Sequence, residues 1–173
     1  MAKRNFITLS PMKSQYKNSE WAQREEEYVK CIQSLEIPFE PDDKDICALN
    51  AAIDQVYSIA KIEQAIYTRL YDKMYQRRKN SETEVYLIVK RGIQAGQKVT
   101  EAEMKGLGVE YLTTNTVDNS SYNIYQMVDM ALGRKTFMDS VVDILKTKSD
   151  KMITASGALK LAVQINGNNS AQA

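Results

Sequence analysis

Residues 45–78 read DICALNAAIDQVYSIAKIEQAIYTRLYDKMYQRR, and this stretch decides the fold class. Its apolar residues recur three and four positions apart, starting at Ile46, Leu49 and Ile53, which is the spacing of one face of an α-helix. The pattern predicts a helix of about 30 residues, some 45 Å long at about 1.5 Å per residue.

Proline and glycine, which interrupt helices, are scarce after the first quarter of the chain. The three prolines are Pro11, Pro38 and Pro41, and the 173 residues include only seven glycines. Few turns are therefore available, which favours long helices, and no alternating apolar pattern is long enough to build a sheet. We predict an all-α fold of long antiparallel helices joined by short connecting helices.

The segments outside the long helices set the predicted domain organisation. Residues 1–18 are polar and basic, and we expect them to form a flexible arm. Residues 36–45 hold two prolines and a block of acids, which predicts an acidic hinge after a first helix that begins near Ser19. We expect a single helical domain over residues 19–165 and a disordered tail, NGNNSAQA, at 166–173.

Two capping-box patterns predict further helix starts. Ser81 followed by Glu84 predicts that the long helix is interrupted and that a shorter one begins there. Thr100 followed by Glu103 predicts another short helix, which the glycines at positions 106 and 108 should end.

The composition argues against an enzyme or a metal-binding protein. Histidine is absent, which removes the commonest general base and the commonest zinc ligand. Cys31 and Cys47 belong to no CxxC or similar grouping, and no phosphate-binding loop or nucleophile motif occurs. We therefore expect no enzymatic activity, no catalytic residue, no metal and no cofactor. No apolar run is long enough to cross a membrane, so we expect a cytoplasmic protein without a membrane partner.

Basic residues are concentrated on the long helix, although the formal net charge of the whole chain is only +1. The first three are four positions apart, which aligns their cationic ends along one side of the helix. We call this set the basic ridge, and it consists of Arg69, Lys73, Arg77, Arg78 and Lys79. A second basic concentration begins with Arg134 and Lys135. Both sets have two interpretations, an ordinary solvent-exposed face or a surface that contacts nucleic-acid phosphates.

Three tyrosines, Tyr67, Tyr71 and Tyr75, repeat at the same spacing but start two residues earlier than the basic ridge. At about 100° per residue, the rings are expected on roughly the opposite side of the helix from the cations. Packing against a partner helix or subunit is favoured for them over base stacking. Proteins that bind single strands combine rings and cations on one surface, so tertiary or quaternary packing would have to bring the two sets together.

A final helix is predicted from Tyr122 to about Val163. Its apolar face is broader than one partner helix normally covers, so we expect part of it to contact another subunit. The expected oligomerisation residues are Phe137, Val141, Ile144, Leu145, Met152 and Ile153.

The order of these segments resembles the UvsY-type recombination mediators of large tailed phages. The similar parts are KIEQAIYTRLYDKMYQRRK, NSETEVYLIVKR, KVTEAEMKG and LGRKTFMDSVVDILKTKSDKMITASGALK, which lie within residues 61–160. Those mediators are small helical proteins that form rings, bind single-stranded DNA and help to load a RecA-like recombinase in place of a single-strand-binding protein. The resemblance implies assembly through the final helix. It also implies DNA contact at Arg69, Lys73, Arg77 and Arg78.

The expected function is therefore that of a non-enzymatic mediator, a homo-oligomer that binds single-stranded DNA in the host cytoplasm and assists recombinase loading. A RecA-like recombinase and a single-strand-binding protein would be its protein partners. The alternative is a helical structural or adaptor protein of a phage, a virion component or a host-takeover protein, that binds only protein. Steep salt dependence of single-strand binding would favour the mediator, and absence of DNA affinity would favour the adaptor.

Overall fold

The computed structural model of the chain describes a set of helices and the segments between them. The described residues are 6–11, 13, 17–38, 42–93, 97–117 and 120–170, with side chains described to residue 161 except at residue 43. Their helices are α1 (Asn18–Ser34), α2 (Asp43–Gly92), α3 (Glu101–Thr114) and α4 (Ile124–Ser170). These residues contain no strand, only an isolated bridge between Thr116 and Asn123. The all-α prediction is confirmed.

The predicted interruption of the long helix is wrong, because α2 continues through it to Gly92. Ser81 lies inside the helix and caps nothing. The hydroxyl of Thr83 donates a hydrogen bond to the carbonyl oxygen of Lys79 at 2.9 Å, as a threonine inside a helix commonly does. With no proline in this part of the chain, the polar residues around Ser81 do not stop the helix.

The predicted start of α3 is confirmed, and its predicted end is wrong. Thr100 Oγ1 accepts a hydrogen bond from the Glu103 N–H at 3.2 Å, and the Glu103 carboxylate accepts one from the Thr100 N–H at 2.7 Å. The helix then passes both glycines and runs to Thr114. Gly108 is buried, and a Cβ built on it would lie 3.6 Å from Val85 Cγ1 of α2. This glycine therefore serves close packing of α3 on α2 and does not end a helix.

The described chain divides into two compact units, and both α2 and α4 contribute residues to each of them. Unit 1 comprises Met1–Gln64 and Phe137–Ala173, and unit 2 comprises Ala65–Thr136. The single domain predicted over 19–165 thus includes parts of both units.

The core of unit 1 is built from α1, the first part of α2 and the second part of α4. The Phe137 ring meets the rings of Trp21 and Tyr28 of α1 edge-on, with centroids 5.8 and 6.2 Å apart. Gln64 of α2 donates a hydrogen bond to Asp139 of α4 at 2.7 Å. The fully buried side chains of this core include Leu35, Leu49, Ile53, Met138, Leu145 and Met152.

A buried ion pair joins α1 to α2 in unit 1. The side chains of Arg24 and Glu63 are each 1% exposed, and Arg24 Nε donates to Glu63 Oε1 at 3.1 Å. Arg24 Nη1 also donates to Glu27 at 2.8 Å and to the carbonyl oxygen of Ser10 at 3.1 Å. Burial alone would lower the pKa of Arg24, but the bonds to Glu63 and Glu27 outweigh it and hold this pKa above its ordinary value. The guanidinium is therefore charged and multiply hydrogen-bonded.

Part of the predicted N-terminal arm makes defined contacts with α1. The Ile7 N–H donates to the Ser34 hydroxyl at 3.3 Å, and the Cys31 thiol donates to the Ile7 carbonyl oxygen at 3.1 Å. Burial raises the pKa of the Cys31 thiol, while Cys47 is exposed. The rest of the arm, residues 1–5, 12 and 14–16, lies outside the described residues, as do residues 39–41 of the predicted acidic hinge.

The last helix extends beyond its predicted end near Val163. Its backbone is helical to Ser170, so it includes residues 166–170 of the segment predicted to be a disordered tail. Gly167 weakens a helix but, unlike proline, does not remove a backbone hydrogen bond. Residues 171–173 lie outside the described residues.

Candidate nucleic-acid interface

The part of the chain that the structure describes contains neither a metal-binding cluster nor a membrane-spanning helix. Its Cys, Asp and Glu side chains form no group of three or more that could hold a metal ion. Nor does it contain a helix with enough length and apolar character to cross a membrane. The basic ridge, the tyrosines and the exposed apolar side chains are the features with binding chemistry.

The basic ridge lies on the part of α2 that belongs to unit 2. Residues 65–79 contain five basic residues and one acidic residue, Asp72, which gives this segment a net charge of +4. Arg69 and Lys73 are exposed, and neither forms an ion pair with a carboxylate among the described residues. Their charges are therefore available to an anionic partner.

The residues at the C-terminal end of the ridge are partly buried or form ion pairs. Arg77 is half-buried. Arg78 and Lys79 share one carboxylate, since Arg78 Nε lies 3.4 Å from Glu82 Oε1 and Lys79 Nζ lies 3.3 Å from Glu82 Oε2. One carboxylate cannot neutralise two cations, so positive charge remains at this end as well.

Rings and cations share a surface at this end of the ridge, contrary to the prediction. The Arg78 guanidinium lies 4.8 Å from the centroid of the Tyr75 ring, and Lys79 Nζ lies 5.7 Å from it. Arg78 and Lys79 follow Tyr75 by three and four positions, which places all three on one face of a helix. The predicted separation of rings from cations is therefore wrong for Arg78 and Lys79.

The three tyrosines differ in accessibility. Tyr67 is buried, and the Arg134 guanidinium of α4 lies 6.0 Å from its ring centroid. Tyr71 is half-buried, while Tyr75 is 38% exposed. Arg134 and Lys135 are themselves half-buried. Tyr67 therefore packs between helices, as predicted for the whole set, whereas Tyr75 is open to a ligand.

Burial divides the predicted oligomerisation residues into two groups. The side chains wholly or largely covered by the chain's own helices are Phe137, Val141, Leu145 and Met152. These four are core residues of unit 1, which corrects their assignment to a subunit contact. The apolar face of α4 is broad because it packs against two helices of the same chain. Ile144 and Ile153 are 44% and 65% exposed, so only these two remain available to another subunit.

Unit 2 also has exposed apolar side chains, which were not predicted. They include Leu87, Ile88, Leu107, Val109 and Tyr111. A groove of about 400 Å³ between α2 and α3 is lined by Thr83, Tyr86, Lys105 and Val109, among others. Leu107 and Tyr111 are four positions apart, a helical signal that was hidden by the expectation that α3 ends at its glycines.

Comparison with known proteins adds no family to these observations. No family model matches the chain, and neither a curated protein nor a solved structure is significantly similar to it. The resemblance to UvsY-type mediators therefore stays a prediction.

Proposed function

We propose that the protein binds single-stranded DNA as a homo-oligomer and acts as a recombination mediator that assists the loading of a RecA-like recombinase. The observation that carries the DNA-binding part is the exposure of Arg69 and Lys73 without a carboxylate partner among the described residues. Phosphates that contact such cations release condensed counterions, which drives binding. The single-strand preference and the mediator role rest on the order of segments that resembles the UvsY-type proteins.

Exposed residues of α4 support the proposed assembly. Ile144 and Ile153 are nine positions apart, which at about 100° per residue puts them on opposite sides of the helix. One neighbouring subunit cannot cover both sides. A ring requires two different contact surfaces on each subunit. In such a ring, several weak DNA contacts would act together and raise the overall affinity.

Replacing both Arg69 and Lys73 with alanine should weaken binding to all single-stranded sequences alike. Each phosphate contact on a single strand contributes about −0.7 to the slope of log affinity against log salt, so two lost contacts should flatten the slope by about 1.4. Fluorescence anisotropy of a labelled oligonucleotide over a salt series measures both effects.

The matched control replaces Lys90 and Arg91, two exposed basic residues farther along α2, with alanine. It changes the net charge by the same amount on the same helix and should leave the salt slope nearly unchanged. If the ridge variant keeps the parent's slope, or if the control flattens it equally, Arg69 and Lys73 do not contact phosphates.

A second candidate function is that of a helical adaptor of a phage particle or host-takeover set, which binds only protein. The exposed side chains of Leu107 and Tyr111 on α3 favour it, because apolar residues one turn apart form a typical protein contact. An adaptor would show no affinity for oligonucleotides at low salt, where electrostatic binding is strongest.

A further inference from the structure

Tyr75 presents an aromatic ring on the cationic part of α2. It is 38% exposed, and its hydroxyl makes no hydrogen bond to the described residues. The ring is held by its neighbours, since the Tyr71 ring lies one turn earlier with a centroid distance of 5.9 Å and 37° between the planes. A ring that is already positioned loses little conformational freedom when a ligand stacks on it.

The Arg78 guanidinium lies close to two aromatic rings, and its N–H groups make no hydrogen bond to the described residues. Its guanidinium is 4.8 Å from the Tyr75 centroid and 5.7 Å from the Tyr125 centroid of α4. The Tyr125 hydroxyl donates to Glu82 Oε1 at 3.1 Å, the same oxygen that faces Arg78 Nε at 3.4 Å. Nε itself is buried without a hydrogen bond. The outer nitrogens of Arg78 are not enclosed and have no hydrogen-bond acceptor among the described residues.

Lys79 adds a second cation beside the same ring. Its side chain is 47% exposed, and its only ion pair within the described part of the chain is the shared one with Glu82. A pair this exposed contributes little to stability, so the ammonium can exchange Glu82 for a phosphate at small cost. An accessible ring, a guanidinium with unused donors and an exposed ammonium thus occur together around Tyr75.

We infer that Tyr75 is a base-stacking residue, on which an unpaired base of single-stranded DNA lies while Arg78 and Lys79 contact the flanking phosphates. The inference rests on the proposed binding of single-stranded DNA and identifies a residue that distinguishes a single strand from a duplex. Bases of a duplex are stacked on one another and cannot cover a side chain on the protein surface, whereas a single strand has free base faces. Arg69 and Lys73 contribute electrostatic attraction to the phosphates, and Tyr75 contributes the preference for a single strand over a duplex.

Two oligonucleotides of equal length and charge, one with thymine bases and one abasic, separate stacking from electrostatics. The full-length protein should prefer the strand that carries bases. Tyr75→Leu should weaken binding to that strand about 5- to 100-fold and affect the abasic strand little, while Tyr75→Phe should behave as the parent does. The control is Tyr111→Leu, at an exposed tyrosine of α3, which should change neither affinity.

A second readout applies even if Tyr75→Leu fails to fold. Tyr75→Trp introduces a reporter whose emission should be quenched by the strand with bases and not by the abasic strand, while buried Trp21 gives a constant background. Equal affinity of the parent for both strands, or equal losses in Tyr75→Leu and Tyr111→Leu, overturns the stacking role but leaves the proposed function intact. Absence of binding to either strand overturns both.

Discussion

Replacing Leu145 with aspartate is expected to unfold unit 1, with a loss of more than about 4 kcal/mol in the free energy of unfolding. Leu145 is completely buried in the core that α1, α2 and α4 form. Truncation of a buried leucine to alanine already costs about 2–5 kcal/mol, and aspartate adds an unpaired buried charge. Urea denaturation followed by far-ultraviolet circular dichroism measures the change.

The matched substitution, Ile153→Asp, lies on the same helix at a side chain that is 65% exposed. It should change the free energy of unfolding by less than about 0.5 kcal/mol. If α4 contacts a neighbouring subunit as proposed, this variant should sediment as a smaller species than the parent. A Leu145→Asp protein as stable as Ile153→Asp would contradict the placement of Leu145 in the core.

Removal of Glu63 by substitution with alanine is expected to cost about 3 kcal/mol. Arg24 would keep its charge but lose its buried partner, and breaking a buried ion pair from one side typically costs about 3–5 kcal/mol. The lower end of that range applies because Glu27 still accepts a hydrogen bond from Arg24 at 2.8 Å. The midpoint and slope of a urea titration report the effect.

Two further variants identify the cause of that loss. Glu26→Ala breaks a pair with Lys30 in which both side chains are more than half exposed, and it should cost less than about 1 kcal/mol. The double variant Arg24→Met with Glu63→Leu removes both fully buried charges, so it should recover much of the stability. A loss at Glu63 no larger than the loss at Glu26 would refute the buried pair.

Apolar periodicity predicted the helical class and part of the core correctly. Ile46, Leu49 and Ile53, whose spacing predicted the helix, are all buried in unit 1. Farther along α2, the apolar residue Ile62 is exposed. Periodicity identifies an apolar face, but how much of that face is covered depends on the helices that pack against it.

Local capping patterns were less informative, because the same residues occur in two structural contexts. Ser81 with Glu84 and Thr100 with Glu103 both match the capping box, yet only Thr100 follows a non-helical segment and caps a helix. A capping residue satisfies N–H groups only where a helix begins. Inside α2 those groups already bond to the preceding turn, so the pattern at Ser81 has no structural effect.

The candidate site could be predicted only in part from the sequence. The spacing of basic residues indicated a cationic row, and Arg69 and Lys73 are exposed as that row requires. The cluster around Tyr75 was missed because it includes Tyr125, which is 43 positions away from its hydrogen-bond partner Glu82. The sequence of α4 likewise predicts an apolar face, but it does not indicate whether helices of the same chain or of another subunit cover that face.

The central claim, that the cationic surface of α2 binds single-stranded DNA, is tested most directly by titrating a labelled single-stranded oligonucleotide with the parent protein at several salt concentrations. We predict binding at low salt that weakens on a log–log plot with a slope of about −1.4 or steeper, from at least two phosphate contacts at about −0.7 each. A duplex of the same length should bind more weakly, because it offers no free base to Tyr75. No change in anisotropy at low salt, or binding that is insensitive to salt, would contradict the claim.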